Sequence, residues 1–173
     1  MRFTLALPRW DGDAAAVLQH WREQHDPQAQ RIGPHLLLLW GIDTDESVYR
    51  DHVMRVAQRH APTDITLPVA VPWCTGNHMA RTLLLVERGL APLIHLHRAL
   101  YGGPLAPWRA LDQPFTPHVQ LAEMEDALMA QALADRWNAQ GLMLSGVVDR
   151  LTVGRLRAGR WETEMELPLG APP

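Results

Sequence analysis

Two short segments, roughly half a chain apart, are built alike: Pro34-His35-Leu36-Leu37-Leu38 and Pro117-His118-Val119-Gln120-Leu121. Each places a histidine between a proline and an apolar stretch. The first stretch, 32–41, is bounded by Gly and Pro and is too short for a helix, so it reads as a buried strand; 115–122 reads as a second one.

What surrounds the two segments is duplicated as well. Residues 2–8 form a strand pattern. Asp11-Gly12-Asp13 can cap a helix whose apolar positions Val17, Leu18 and Trp21 recur at helical spacing before Pro27. After the first histidine strand, Asp43 with Glu46 resembles a capping box, and Val48, Val53, Val56 and Ala57 give a second helix its apolar face. Residues 65–73 alternate with period two, 82–86 form another strand, and Thr75-Gly76-Asn77 between them signals a hairpin. Pro92 opens a third helix carrying Leu93, Leu96 and Leu100, which Gly102-Gly103-Pro104 ends. A loop over 105–114 leads to the second histidine strand. A fourth helix with Leu128, Leu133 and Trp137 then runs to Gly141, and strands fill 142–169 around a turn at Ala158-Gly159.

The order strand, helix, histidine strand, helix, strands therefore occurs twice. A repeat of this length makes two similar lobes rather than a solenoid. With 173 residues, 47% of them hydrophobic, one domain over 1–173 is expected.

Along a strand, residues i and i+2 share a face, so His35 goes with Leu37 and His118 with Gln120. If the two strands meet about a twofold axis, two imidazoles converge on one cleft. Such a pair titrates near neutral pH and suits in-line displacement at a phosphodiester: one ring takes a proton from the attacking oxygen, the other protonates the leaving oxygen.

Composition narrows the alternatives. All 16 basic residues are arginine, so a P-loop lysine, a Schiff base and a nucleotidyl-lysine intermediate are excluded. A lone cysteine, Cys74, allows neither an intrachain disulfide nor a paired-cysteine zinc site. His95-x-His97 would diverge on a helix, and no metal-ligand constellation or cofactor motif is present, so neither metal nor cofactor is expected. A net charge of −3 gives no broad footprint for duplex DNA. No apolar run is long enough to span a membrane and the first residues lack a signal-peptide pattern, so a cytoplasmic monomer is expected.

On these residues the chain resembles the 2H phosphoesterases, the 2′-5′ RNA ligase and cyclic phosphodiesterase group, whose mark is two His-x-Thr/Ser-x tetrapeptides about half a chain apart. Phe115 to Ala122 resembles the second motif and Gly33 to Leu38 the first, while the stretch from Val148 to Gly170 is similar to the family's closing strands. The resemblance implies an α+β fold of two intertwined lobes with pseudo-twofold symmetry, antiparallel sheets lining a central cleft and helices outside. It also implies metal-independent hydrolysis of 2′,3′-cyclic phosphate nucleotides or RNA ends, with His35 and His118 catalytic.

At the family's third motif position, where a hydroxyl meets a phosphate oxygen, this chain has Leu37 and Gln120. Gln120 can donate through its amide; Leu37 cannot. Trp108 and Arg109, ahead of the second motif, are further candidate contacts for a base and a phosphate. A second function stays open, a weakened module that binds a nucleotide or phosphorylated metabolite without turnover. Restoring a donor separates the two: Leu37→Thr should raise turnover of a 2′,3′-cyclic nucleotide about tenfold, the modest end of what one such donor contributes. Steady-state rates for wild type, Leu37→Thr and the bulk control Leu37→Val test this, and equal rates in all three would show that residue 37 never meets substrate.

Overall fold

Prolines and glycines punctuate the chain into short elements, and the computed structural model describes them over residues 1–74, 79–112 and 114–170. The first half runs β1 (Arg2–Ala6), a short β2 (Arg9–Trp10), α1 (Ala14–His25), β3 (Leu36–Ile42), α2 (Glu46–Gln58), β4 (Thr63–Leu67) and β5 (Val69–Cys74). The second runs β6 (Ala80–Leu85), α3 (Leu90–Leu100), a 3₁₀ helix (Gly103–Trp108), β7 (His118–Met124), α4 (Ala127–Asn138), β8 (Leu144–Val148), β9 (Arg150–Arg157) and β10 (Arg160–Pro168). All strand pairing is antiparallel, in sheets ordered β10-β9-β1-β3, β5-β6-β7 and β2-β8-β4. The fold is thus α+β, and β3 and β7 are both edge strands.

The two larger sheets repeat each other residue by residue. Leu36 and Leu37 pair with Ala6 and Leu5; Val119 and Gln120 pair with Leu84 and Leu83. Past these pairs both ladders skip one residue, Leu38 in β3 and Leu121 in β7, so that Thr4 meets Leu39 and Thr82 meets Ala122. A β-bulge increases local twist and re-aims the side chains around it. Here it turns Leu38 and Leu39 both into the core, and likewise Leu121 and Ala122.

Each sheet borrows from the other half. β9, from the second half, pairs with β1, and β5, from the first, pairs with β6. Helices cross in the same way, α1 packing on β7 and α3 on β3, while β4 and β8 pair with one another between the lobes. The buried cluster runs continuously through both halves, from Leu18 and Trp21 through Leu38, Leu39, Leu96 and Leu121 to Trp137. No described helix is long and apolar enough to cross a membrane.

Some local expectations are corrected. The alternation over 65–73 is two strands in two sheets, because Pro68 has no N–H to continue a ladder; Ile65 and Leu67 are buried before it, and the phase flips to Ala70 after it. The second helix is capped by Asp45 rather than Asp43: its carboxylate accepts from the N–H of Ser47 at 2.8 Å and of Val48 at 3.3 Å. The third helix begins at Leu90, after Gly89 in the left-handed conformation, two residues ahead of Pro92. The loop over 105–114 opens with the 3₁₀ helix. The turn at Thr75-Gly76-Asn77 lies outside the described residues.

One glycine sets the shape of the first sheet's face. A Cβ on Gly154 would lie 2.5 Å from Cζ2 of Trp161, and would meet the Glu162 carbonyl, so the indole rests on bare backbone. Gly154→Ala should force that ring away and cost about 1–3 kcal/mol, the usual scale of overpacking. Urea denaturation read by tryptophan fluorescence checks it; an unchanged midpoint would mean the ring is free to move.

Candidate functional site

His35 sits one residue before β3 and His118 is the first residue of β7, so both rings emerge where the two edge strands begin. Each is held by the same short-range bond. Nδ1 of His35 lies 2.9 Å from the Gly33 carbonyl, and Nδ1 of His118 lies 2.6 Å from the Thr116 carbonyl, in each case two residues back. A carbonyl oxygen only accepts, so Nδ1 carries the proton in both rings. When neutral, each ring therefore leaves Nε2 as a bare lone pair.

Both rings are half-buried and lie near charged groups. Burial pushes the His35 imidazole below its ordinary value; the Gly33 carbonyl opposes this, Arg22 adds to it, Asp26 opposes it, and the nearby His118 lowers it further. His118 is likewise lowered by burial, against the Thr116 carbonyl and with help from Arg81. Both rings thus favour the neutral form, and each protonated ring disfavours the other.

Beside them lies a buried polar network. Arg22 and Asp26, one turn apart where α1 ends, form an ion pair at 2.9 Å with side chains 1% and 0% exposed. Arg22 also donates to the Ile32 carbonyl at 2.8 Å. The other oxygen of Asp26 accepts from the Gln28 N–H at 2.9 Å and from the Gln120 amide at 3.0 Å. One of the two N–H groups of the Gln120 amide is therefore engaged by Asp26.

Leu37 is half-buried, in a cross-strand row with Leu5 and, one strand further, Thr152. Leu5 is buried yet lies outside the main core cluster, as does its counterpart Leu83 beside Gln120. These two rows face away from the core. Thr152 is fully buried, and its hydroxyl has no hydrogen-bond partner in the structure.

Of the six residues singled out from the sequence, His35 and Gln120 lie beside Arg22 and Asp26, His118 acts electrostatically on His35, and Leu37 lies on the adjoining row. Arg109 acts electrostatically on His97 instead and lines a separate cavity with it. Trp108 ends the 3₁₀ helix, partly exposed. Arg81, beside His118, is held by Glu123 at 2.8 Å.

The model of the 2′-5′ RNA ligase superfamily matches residues 10–160. The chain belongs to that superfamily. Among solved structures with the 2H phosphoesterase fold, it resembles TT0787 of Thermus thermophilus at 19% identity and a TM-score of 0.65, over 98% of both chains. Escherichia coli LigT complexed with 3′-AMP is similar at 17% identity and a TM-score of 0.62, again over 98% of both, and LigT complexed with ATP at 18% and 0.59, over the same shares. No curated protein sequence matches it. At such identities the likeness establishes the fold, and with it the pseudo-twofold, two-lobed architecture.

Sequence reasoning missed Arg22 and Asp26. Their spacing of four residues marks a helical ion pair, but a surface pair of that kind is common and weak. This one is buried, so removing one partner strands the other in a dry site. Asp26→Asn should cost about 3–5 kcal/mol. Chemical denaturation measures it, and a loss under about 1 kcal/mol would show the network to be hydrated.

Proposed function

We propose that the protein is a metal-independent phosphodiesterase acting on 2′,3′-cyclic phosphate nucleotides or RNA ends, with His35 and His118 as its acid–base pair. The observation that carries this reading is the matched anchoring of the two rings. Both bind a carbonyl two residues back through Nδ1, which leaves two Nε2 atoms with the same chemistry on strands related by the repeat. A neutral ring so held accepts a proton at Nε2, and a protonated one donates from it.

In this scheme one neutral imidazole removes a proton from the attacking water while the other, protonated, hands its proton to the departing ribose oxygen. The P–O bond to water forms as the ring P–O bond breaks, and the pair has exchanged roles at the end. Burial serves the step by strengthening interactions with the phosphate's developing charge. Arg22 is the buried cation nearest in effect to His35, though Asp26 offsets it. Superfamily membership supports phosphoester chemistry, and solved LigT complexes with 3′-AMP and ATP support a nucleotide as the ligand class. Both proton transfers are assigned to imidazoles, so the scheme calls on no metal ion.

Turnover of 2′,3′-cyclic nucleotides should survive EDTA and fall at least about 100-fold in His35→Ala or His118→Ala. Both rings lose their protons more readily than an ordinary histidine with its pKa of 6.5. The singly protonated pair is therefore populated below that value, and kcat/KM should peak under about pH 6.5 and fall as pH rises. Loss of activity in EDTA restored by a divalent ion would overturn the scheme. Nucleotide binding with no turnover at any pH would replace it with a binding role.

A further inference from the structure

The pseudo-twofold relates two helix ends that are used differently. On α1, Arg22 lies three residues before the last and Asp26 four residues on; on α3, His97 and Tyr101 hold the same places. Arg22 reaches the carbonyl of Ile32, three residues before His35. His97 stacks on Phe115, three residues before His118, with centroids 3.7 Å apart and planes 3° from parallel. Both helices then engage the opposite half's histidine strand: Asp26 holds Gln120, while His97 donates to the Leu38 carbonyl at 2.9 Å and Tyr101 accepts from the Trp40 N–H at 3.0 Å.

At the α1 copy the corresponding polar side chains are paired. Gln19 donates to Glu23 at 3.0 Å and to the Ala29 carbonyl at 3.3 Å, and Arg22 has its own acid in Asp26. At the α3 copy the corresponding residues are Ile94 and Arg98, and a cavity of about 260 Å³ opens between them, His97, Arg109 and Phe115. Two guanidiniums flank it, and among the described residues neither the Arg98 nor the Arg109 side chain has an ion-pair or hydrogen-bond partner. In a chain of net charge −3, where most arginines are ion-paired, two guanidiniums without a partner beside one small cavity have the chemistry to take an anion.

We propose that this cavity binds the phosphate of the nucleotide adjoining the one held at His35 and His118, making an RNA end rather than a mononucleotide the preferred substrate. The inference rests on the phosphodiesterase reading above. Phe115 and His118 are three residues apart, which limits their Cα separation to roughly 11 Å. A strand bound at the histidines thus reaches the cavity with its next unit. Arg98 and Arg109 take the phosphate, and Ile94 and Phe115 face the sugar or base.

The test compares a 2′,3′-cyclic mononucleotide with a tetranucleotide ending in a 2′,3′-cyclic phosphate, on wild type and on the double variant Arg98→Gln, Arg109→Gln, with melting temperatures to verify folding. Both arginines are exposed, and each single variant serves if the double one fails to fold. The ratio of kcat/KM, tetranucleotide over mononucleotide, should fall at least tenfold in the variant; an unchanged ratio overturns the proposal. Calorimetric titration with a 3′-phosphorylated tetranucleotide and with inorganic phosphate separates this from the parent reading. If wild type turns over neither substrate, the phosphodiesterase reading fails, yet a tenfold weaker tetranucleotide affinity in the variant still supports the cavity. Equal tetranucleotide affinity in both proteins, or loss of inorganic phosphate binding alone, overturns it and leaves a site for a free anion.

Discussion

A strand at the edge of a sheet carries polar groups that no neighbouring strand satisfies, and something else must meet them. Both histidine strands here are edges. On β3 the Leu38 carbonyl and the Trp40 N–H are met from the opposite half, by His97 and Tyr101 of α3, while on β7 the Gln120 side chain is bonded to Asp26 at the end of α1. The edge of the first sheet is thus capped by the other half's helix, and a side-chain bond ties the second sheet to α1.

The rings are held by carbonyls just ahead of the two strands, where Ile32 gives its own carbonyl to Arg22 and Pro117 gives its own to the Val86 N–H. Gly33 and Thr116 each give one to the following histidine. Burial lowers the proton affinity of both rings, so the packing around them also shifts the pH at which they titrate.

Symmetry in the backbone coexists with divergence in the side chains. The bulges at Leu38 and Leu121 match, as do Thr4 and Thr82 opposite them. At the helix ends, an internal Arg–Asp pair fills one copy while an aromatic stack and a cavity occupy the other. Main-chain geometry is constrained by ladders that must close, whereas a side chain needs only to be satisfied by some partner, whether from the same chain or from a ligand. The third motif positions show the same freedom: Leu37 lies in a row with Leu5 and Thr152, and Gln120 serves Asp26.

The repeated Pro-His segments, the breakers around them and the helical periodicities were legible along the chain, because strands, helices and turns answer to neighbours a few residues away. So was the division into two like halves, which requires only that a pattern recur. Where one residue changes the outcome, local reading gave way: Pro68 splits an alternating run between two sheets, and Asp45 displaces Asp43 as a cap by its geometry alone. The tertiary structure decided which half's helix covers which histidine strand, that Arg22 and Asp26 are buried, that Gln120 turns to Asp26, and that Arg109 joins His97 rather than His118. Each of these joins residues far apart in sequence, and a side chain's partner at that range is fixed by where the backbone folds back, which no run of neighbouring residues encodes.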